Sequence, residues 1–185
     1  RNNILFMERT GGGSLNYVFA SKGTFFSNGL NSDYNLAYNV STTEIGLWGP
    51  STYNFADWKT NTLQDANSFS PSAITAANLF TNTAAGDLNI ISSNVECWYA
   101  NGNGYPLAEV PTDFSGTPRS TTIATGATDL GADEFTPSIA APTLVVPVAG
   151  IGNYPLVLSG KTIGSVNIVD PGSLDAPITE LNVKY

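Results

Sequence analysis

Along the first 135 residues, apolar and aromatic positions come in short runs closed by Asn, Gly, Ser, Thr and Asp. Asn3-Ile4-Leu5-Phe6-Met7, Tyr17-Val18-Phe19-Ala20, Thr24-Phe25-Phe26, Tyr34-Asn35-Leu36-Ala37-Tyr38 and Leu88-Asn89-Ile90-Ile91 are the clearest. Runs of that length between turn formers predict β-strands. Nowhere does an apolar stripe at helical spacing persist over several turns. Between Tyr53 and Asp65, Phe55 and Trp58 are spaced for one helical turn, which predicts a short helix or a compact loop.

The pattern changes at residues 136–143, where Thr136-Pro137-Ser138-Ile139-Ala140-Ala141-Pro142 reads as a linker. Beyond it the aromatics nearly vanish. Leu144-Val145-Val146, Leu156-Val157-Leu158, Ile163 to Val169 and Ile178 to Val183 predict further strands, too few to complete an immunoglobulin-like sandwich of ~7. The expected organisation is all-β: one unit over 1–135, a linker over 136–143, and a partial β-sandwich segment over 144–185. The chain begins inside one strand-like run at Arg1 and stops after another, Leu181-Asn182-Val183-Lys184-Tyr185. Both ends therefore read as cut from something longer, or as edges for another copy to pair with. Head-to-tail association into a filament is one expectation.

Composition narrows the chemistry. The 185 residues carry 15 acidic and 7 basic side chains, a net charge of -8, and no His. Charged residues make up 12% of the chain, about half of the ~25% of an ordinary soluble domain. Nucleic acid and anionic membrane surfaces are poor partners for such a chain, because both require clustered Lys and Arg. No apolar run approaches the ~18 residues of a spanning helix, so no membrane insertion is expected. Without imidazole there is no Ser-His or Cys-His nucleophile and no His-ligated metal. Cys97, flanked by Val95 and Trp98, reads as a small buried hydrophobe.

Two ordered stretches stand out: Thr112-Asp113-Phe114-Ser115-Gly116-Thr117-Pro118-Arg119, and Thr128-Asp129-Leu130-Gly131-Ala132-Asp133-Glu134-Phe135. They resemble the ending of secreted right-handed parallel β-helix proteins of the pectate-lyase-like type, where D-x-x-G-x-x-R precedes a G-A-x-E-[FY] terminus. Upstream, Ser32-Asp33-Tyr34-Asn35-Leu36, the Tyr53 to Ser68 segment with Phe55, Trp58, Asp65, Asn67 and Ser68, and Gly86-Asp87-Leu88-Asn89-Ile90 resemble that family's coils in order. The resemblance implies that residues 1–135 are the terminal coils of a parallel β-helix, with Asn ladders between coils. It also implies a large surface protein of Bacteroidetes-type bacteria, exported by a type IX system. Asp113, Gly116, Arg119, Asp129, Gly131 and Glu134 would then form a capping loop over the last coil, whose strand edges need covering. In that loop Arg119 would pair with Asp113, Asp129 or Glu134.

No catalytic residue is assigned. Arg1, Arg9, Lys22, Lys59, Arg119, Lys161 and Lys184 are scattered, and the spacing of Asp33, Asp57 and Asp65 does not require them to converge. No metal-ligand set is present; calcium at the acidic group is the one cofactor considered. Trp48, Tyr53, Trp58, Trp98, Tyr99 and Tyr105 lie in loop-rich contexts where exposed rings stack on sugars, and where they also pack as satellite cores. The expected function is a structural or adhesive component of a secreted or cell-surface protein. Its partners would be the upstream part of the same protein, neighbouring protomers, or polysaccharide. The alternative is a carbohydrate-active protein, lyase-like or glycan-binding, acting on extracellular polysaccharide.

Overall fold

The computed structural model describes residues 1–9, 16–21 and 31–140, together with the backbone of 152–158 and 161–168. Its organising segment is the strand β3 (Leu36–Asn39). On one edge it pairs in parallel with β1 (Ile4–Met7), in the register Ile4↔Leu36 to Met7↔Asn39. On the other edge Leu36 forms a parallel bridge to Phe69, with Ala37 N donating to Phe69 O at 3.0 Å and Phe69 N to Asn35 O at 2.9 Å. A strand paired on both edges can be buried on both faces, and alternation of side chains sends successive residues to opposite sides. Leu36 and Ala37 are both fully buried, each in a different core.

The larger core gathers Leu36, Ile74, Leu79, Phe80, Ala100 and Leu130. The smaller holds Ala37, Ile45 and Trp58, with Phe19, Trp48 and Tyr53 against it. This smaller core sits on a mixed sheet in which β2 (Phe19–Ser21) runs parallel to β4 (Glu44–Trp48) and β4 antiparallel to β5 (Ser51–Asn54). Helix α1 (Phe55–Thr62) follows directly. Its N-cap Asn54 accepts a hydrogen bond from Asp57 N, and Leu63 ends it in a left-handed conformation, φ 56°. Trp58, on its inner face, stacks on Phe19 at 5.0 Å between ring centroids.

Downstream, the four-residue helix α2 (Ala76–Leu79) leads into β6 (Phe80–Asn82), which turns back as an antiparallel pair with β7 (Asp87–Ile90). Glu96 ties this unit together, accepting from Thr75 N and Asn78 Nδ2 at 3.0 Å each. Residues 100–140 are largely irregular, with isolated bridges at Gly104↔Thr128 and Thr112↔Pro118.

The expectation of a right-handed parallel β-helix is overturned. The described residues form separate sheets of two and three strands, mixed in direction, with no closed solenoid. The all-β reading gives way with it, since two helices interrupt the strands and the described fold is mixed α/β. Local connectivity explains the difference. Parallel pairing needs long crossovers, which the chain makes between β1 and β3 and between β2 and β4. After Phe69 the described strands close on near neighbours through short turns, so no further coil stacks among the described residues. Among the described residues the expected Asn ladder shrinks to one pair, Asn3 Nδ2 donating to Asn35 Oδ1 at 3.0 Å.

In the C-terminal part, β8 (Gly152–Leu158) and β9 (Lys161–Ile168) form an antiparallel hairpin. The other strands expected between 144 and 185, the end of the 136–143 linker, and the Thr24-Phe25-Phe26 run lie outside the described residues.

Gly46 in β4 lies under the Trp58 indole, and a Cβ there would fall 2.1 Å from Trp58 Cε3. Such a contact forces the ring or the strand to move. Gly46→Ala should therefore lower stability by about 2 kcal/mol, seen as a lower urea midpoint at unchanged slope. An unshifted midpoint would show that Trp58 is free to repack.

Candidate functional site

The segments 112–119 and 128–135 fold onto each other as a clasp. Asp113 turns its own loop, with Oδ1 accepting from Thr117 N at 2.7 Å, while Gly116 and Gly131 take positive φ of 88° and 99° that a side chain would resist. Across the gap, Asp113 Oδ2 accepts from Glu134 N at 2.8 Å and Phe114 N donates to Ala132 O at 2.9 Å. Asp129 accepts from Gly102 N at 2.7 Å and Phe135 N at 2.8 Å. Arg119 Nε lies 3.2 Å from Glu134 Oε1, and its Nη2 donates to Gly131 O at 2.9 Å. All six residues singled out from the motif thus meet in one place. Leu130, between them, is fully buried in the larger core, and Gly131 N donates to Asn2 O at 2.9 Å. With no solenoid end to cover, this cluster straps an irregular segment to the body of the protein.

Its carboxyls are tuned in opposite directions. Desolvation raises Asp129, outweighing the N–H groups of Phe135 and Gly102 and the Arg119 charge. Desolvation, then the Asp129 charge, raises Glu134. Desolvation also pushes Asp113 up, but the N–H groups of Glu134 and Thr117 more than offset it and hold this carboxyl below its ordinary value. Cys97 is buried nearby; desolvation and the Asp129 charge push its thiol up to about 11, far from the thiolate range of reactive cysteines.

The six aromatic candidates are distributed among different surroundings. Trp58 is 1% exposed and donates Nε1–H to Asp65 Oδ2 at 3.0 Å, so neither ring face is available. Trp48 and Tyr53 pack against the same core, and Tyr99 packs against the larger one. Trp98 is half-buried in the 3₁₀ turn Val95–Tyr99. Tyr105 is half-buried, its ring 5.0 Å from Tyr34 and beneath the Arg1 guanidinium at 5.1 Å.

Beside Tyr34 the structure opens a depression of about 400 Å³, lined by residues 31–33 on one side and 63–66 on the other. Its floor is Asp65, 1% exposed, whose Oδ1 accepts from Ser32 Oγ, Asn35 Nδ2 and Ser68 Oγ at 2.7–2.9 Å. Asp33, in the wall, accepts from Asn67 N at 2.7 Å and Asn67 Nδ2 at 2.8 Å. These bonds outweigh desolvation and lower the Asp33 carboxyl. Asp33 and Asp65 therefore do share one site, whereas Asp57 is taken up with the α1 cap, accepting from Asn54 Nδ2 at 2.8 Å. The depression as such is absent from the sequence reading. Its one local trace is Leu63, an apolar residue 84% exposed at a polar rim. Among the described residues, no group of three or more Cys, Asp or Glu is placed to hold a metal ion, and no helix is long and apolar enough to cross a membrane.

Two measurements follow from the clasp. The Arg119 side chain is 7% exposed, and truncating it leaves the half-buried Glu134 without its counter-charge. Arg119→Ala should cost about 3 kcal/mol in a urea titration; an unchanged midpoint would exclude the strap. The second concerns pH. Asp129 and Glu134 bind protons more tightly folded than unfolded, so their contribution is full below the ordinary carboxylate range and is lost as pH rises through the raised values. Asp113 and Asp33 have the opposite sign, contributing above the ordinary range and failing as pH falls through the lowered values. The melting temperature should peak at about pH 4–5, and Glu134→Gln should flatten the decline towards neutrality. A steady rise to neutrality would contradict these shifts.

No protein-family model matches this chain, and no curated protein or solved structure matches it either.

Proposed function

We propose that this chain is a structural and adhesive segment of a secreted or cell-surface protein, acting by contact rather than by catalysis. The observation that carries this reading is how its buried acids are used. Asp65, Asp113 and Asp129 each accept hydrogen bonds from this chain's own backbone or side chains, and Glu134 is paired with Arg119. Acids so engaged are architecture, whereas a general acid or base needs an open path to substrate. The low charge and the inert thiol of Cys97 suit a rigid polar surface that needs no cofactor.

Polysaccharide is the favoured partner, because the half-buried Tyr34–Tyr105 ring pair adjoins the polar groups of the depression, Tyr34 following Asp33 in the chain and Arg1 linking Tyr105 to Asn31. Neighbouring copies are the second. The β6–β7 pair is two-stranded, with Leu88 60% exposed, and unpaired strand edges are natural docking lines.

The test is retention of the labelled full chain on beads coated with neutral or uronate-bearing polysaccharides, with reducing ends and unsaturated products assayed in the supernatant. Retention without product formation is expected. Turnover of any polysaccharide would overturn the reading in favour of a carbohydrate-active enzyme. Light scattering on the same sample checks self-association, and a monodisperse monomer would remove neighbouring copies from the proposal.

A further inference from the structure

Resting on that adhesive reading, we propose that the depression between residues 31–33 and 63–66, with the Tyr34–Tyr105 ring pair at its edge, binds a single sugar unit of a neutral polysaccharide. Its volume of about 400 Å³ lies within the ~300–1,000 Å³ of small-ligand sites. Two features give it the chemistry that sugars need.

The first is hydrogen-bonding capacity held in place. Gln64 uses Oε1 to accept from Ser32 N at 2.9 Å, and Asn31 uses Oδ1 to accept from Arg1 Nη2 at 3.0 Å. Each amide is thereby oriented, while its NH₂ group makes no hydrogen bond among the described residues. Asp33 Oδ2 accepts only from Asn67 Nδ2, at 2.8 Å, which leaves acceptor capacity on an anchored carboxylate. Oriented donors and acceptors of this kind suit the alternating roles of sugar hydroxyls. The second feature is a half-buried aromatic pair linked to the polar wall. Arg1 joins the two, bonded to Asn31 and lying 5.1 Å over the Tyr105 ring, with Tyr34 following Asp33 directly in the chain. Leu63, 84% exposed, supplies a further C–H face at the opposite rim.

The charges select a neutral ligand. Asp33 and Asp65 are balanced locally by Arg1 and by Lys59, whose Nζ donates to Ala66 O at 3.2 Å. Both cations lie against acids of this chain, so a uronate or sulfate would have to compete with Asp33 and Asp65 for them. The backbone adds support: Leu63 and Asp65 in the lining, and Tyr34 next to Asp33, take φ of 55–57°, a conformation costly for side-chain-bearing residues.

Isothermal titration calorimetry of the full chain against gluco-, manno-, galacto- and xylo-oligosaccharides, with oligogalacturonate as the charged comparator, tests this. At least one neutral oligosaccharide should bind and oligogalacturonate should not. Tyr105→Ala and Gln64→Ala should each weaken binding by about tenfold at unchanged melting temperature, whereas Leu88→Ser, on β7, should leave it intact. Preference for the uronate, or no neutral ligand at all, would overturn the proposal. Retention on polysaccharide beads that neither Tyr105→Ala nor Gln64→Ala diminishes would overturn this site alone. Absence of retention by the unaltered chain would instead overturn the adhesive reading.

Discussion

The burial of Leu36 and Ala37 on opposite faces of one strand is the constraint on which the structure depends. β1 holds one edge of that strand and Phe69 the other, so its backbone groups are satisfied by pairing and both faces are free to be covered. Leu36 fills one core and Ala37 meets Ile45 and Trp58 in the other. A bulkier residue at 37 would compete with the Trp58 indole for space, just as a Cβ at Gly46 would. The two cores are therefore coupled through a strand only a few residues long.

Immediately before this strand the same backbone enters a polar network. Asn35 donates its side-chain amide to Asp65, accepts from Asn3, and donates its own backbone N–H to Ser68 Oγ at 2.8 Å. A buried carboxylate is costly unless its oxygens are fully engaged, and Asp65 meets that condition with neutral donors. The clasp solves the same problem differently, using backbone N–H groups and one guanidinium. Both networks order segments that have little regular secondary structure. They also account for the use of the few charges this chain has: the buried acids hold loops in place, and the open depression is left with oriented amides and a balanced charge.

Much of the local structure could be read from residues. Short strands are found at Ile4–Met7, Phe19–Ser21, Leu36–Asn39 and Asp87–Ile90, inside or overlapping the apolar runs. The helix over Phe55–Thr62 was visible only as a Phe55/Trp58 spacing, because α1 buries a narrow face: Trp58 and Thr62. Asp113 to Glu134 were singled out by a Gly-punctuated spacing, which left the Arg119 partner open among three acids; the fold pairs it with Glu134. The parallel β-helix was misread because strand length and turn residues look the same whether a strand stacks on a distant coil or folds back on its neighbour. The depression was hidden because Asn31 and Gln64 are far apart in sequence, and a surface Leu63 runs against the expected pattern.

What the sequence by itself determined is local and chemical: where the chain is extended, where it turns, that imidazole chemistry is absent, and that acids outnumber bases. Tertiary structure alone decided which strands pair, which aromatic rings lose their faces to a core, and which acids become neighbours. The physical reason is that side-chain alternation specifies a face but not a partner. Partners are chosen by non-local burial, which repays loop closure only when both segments are already in place.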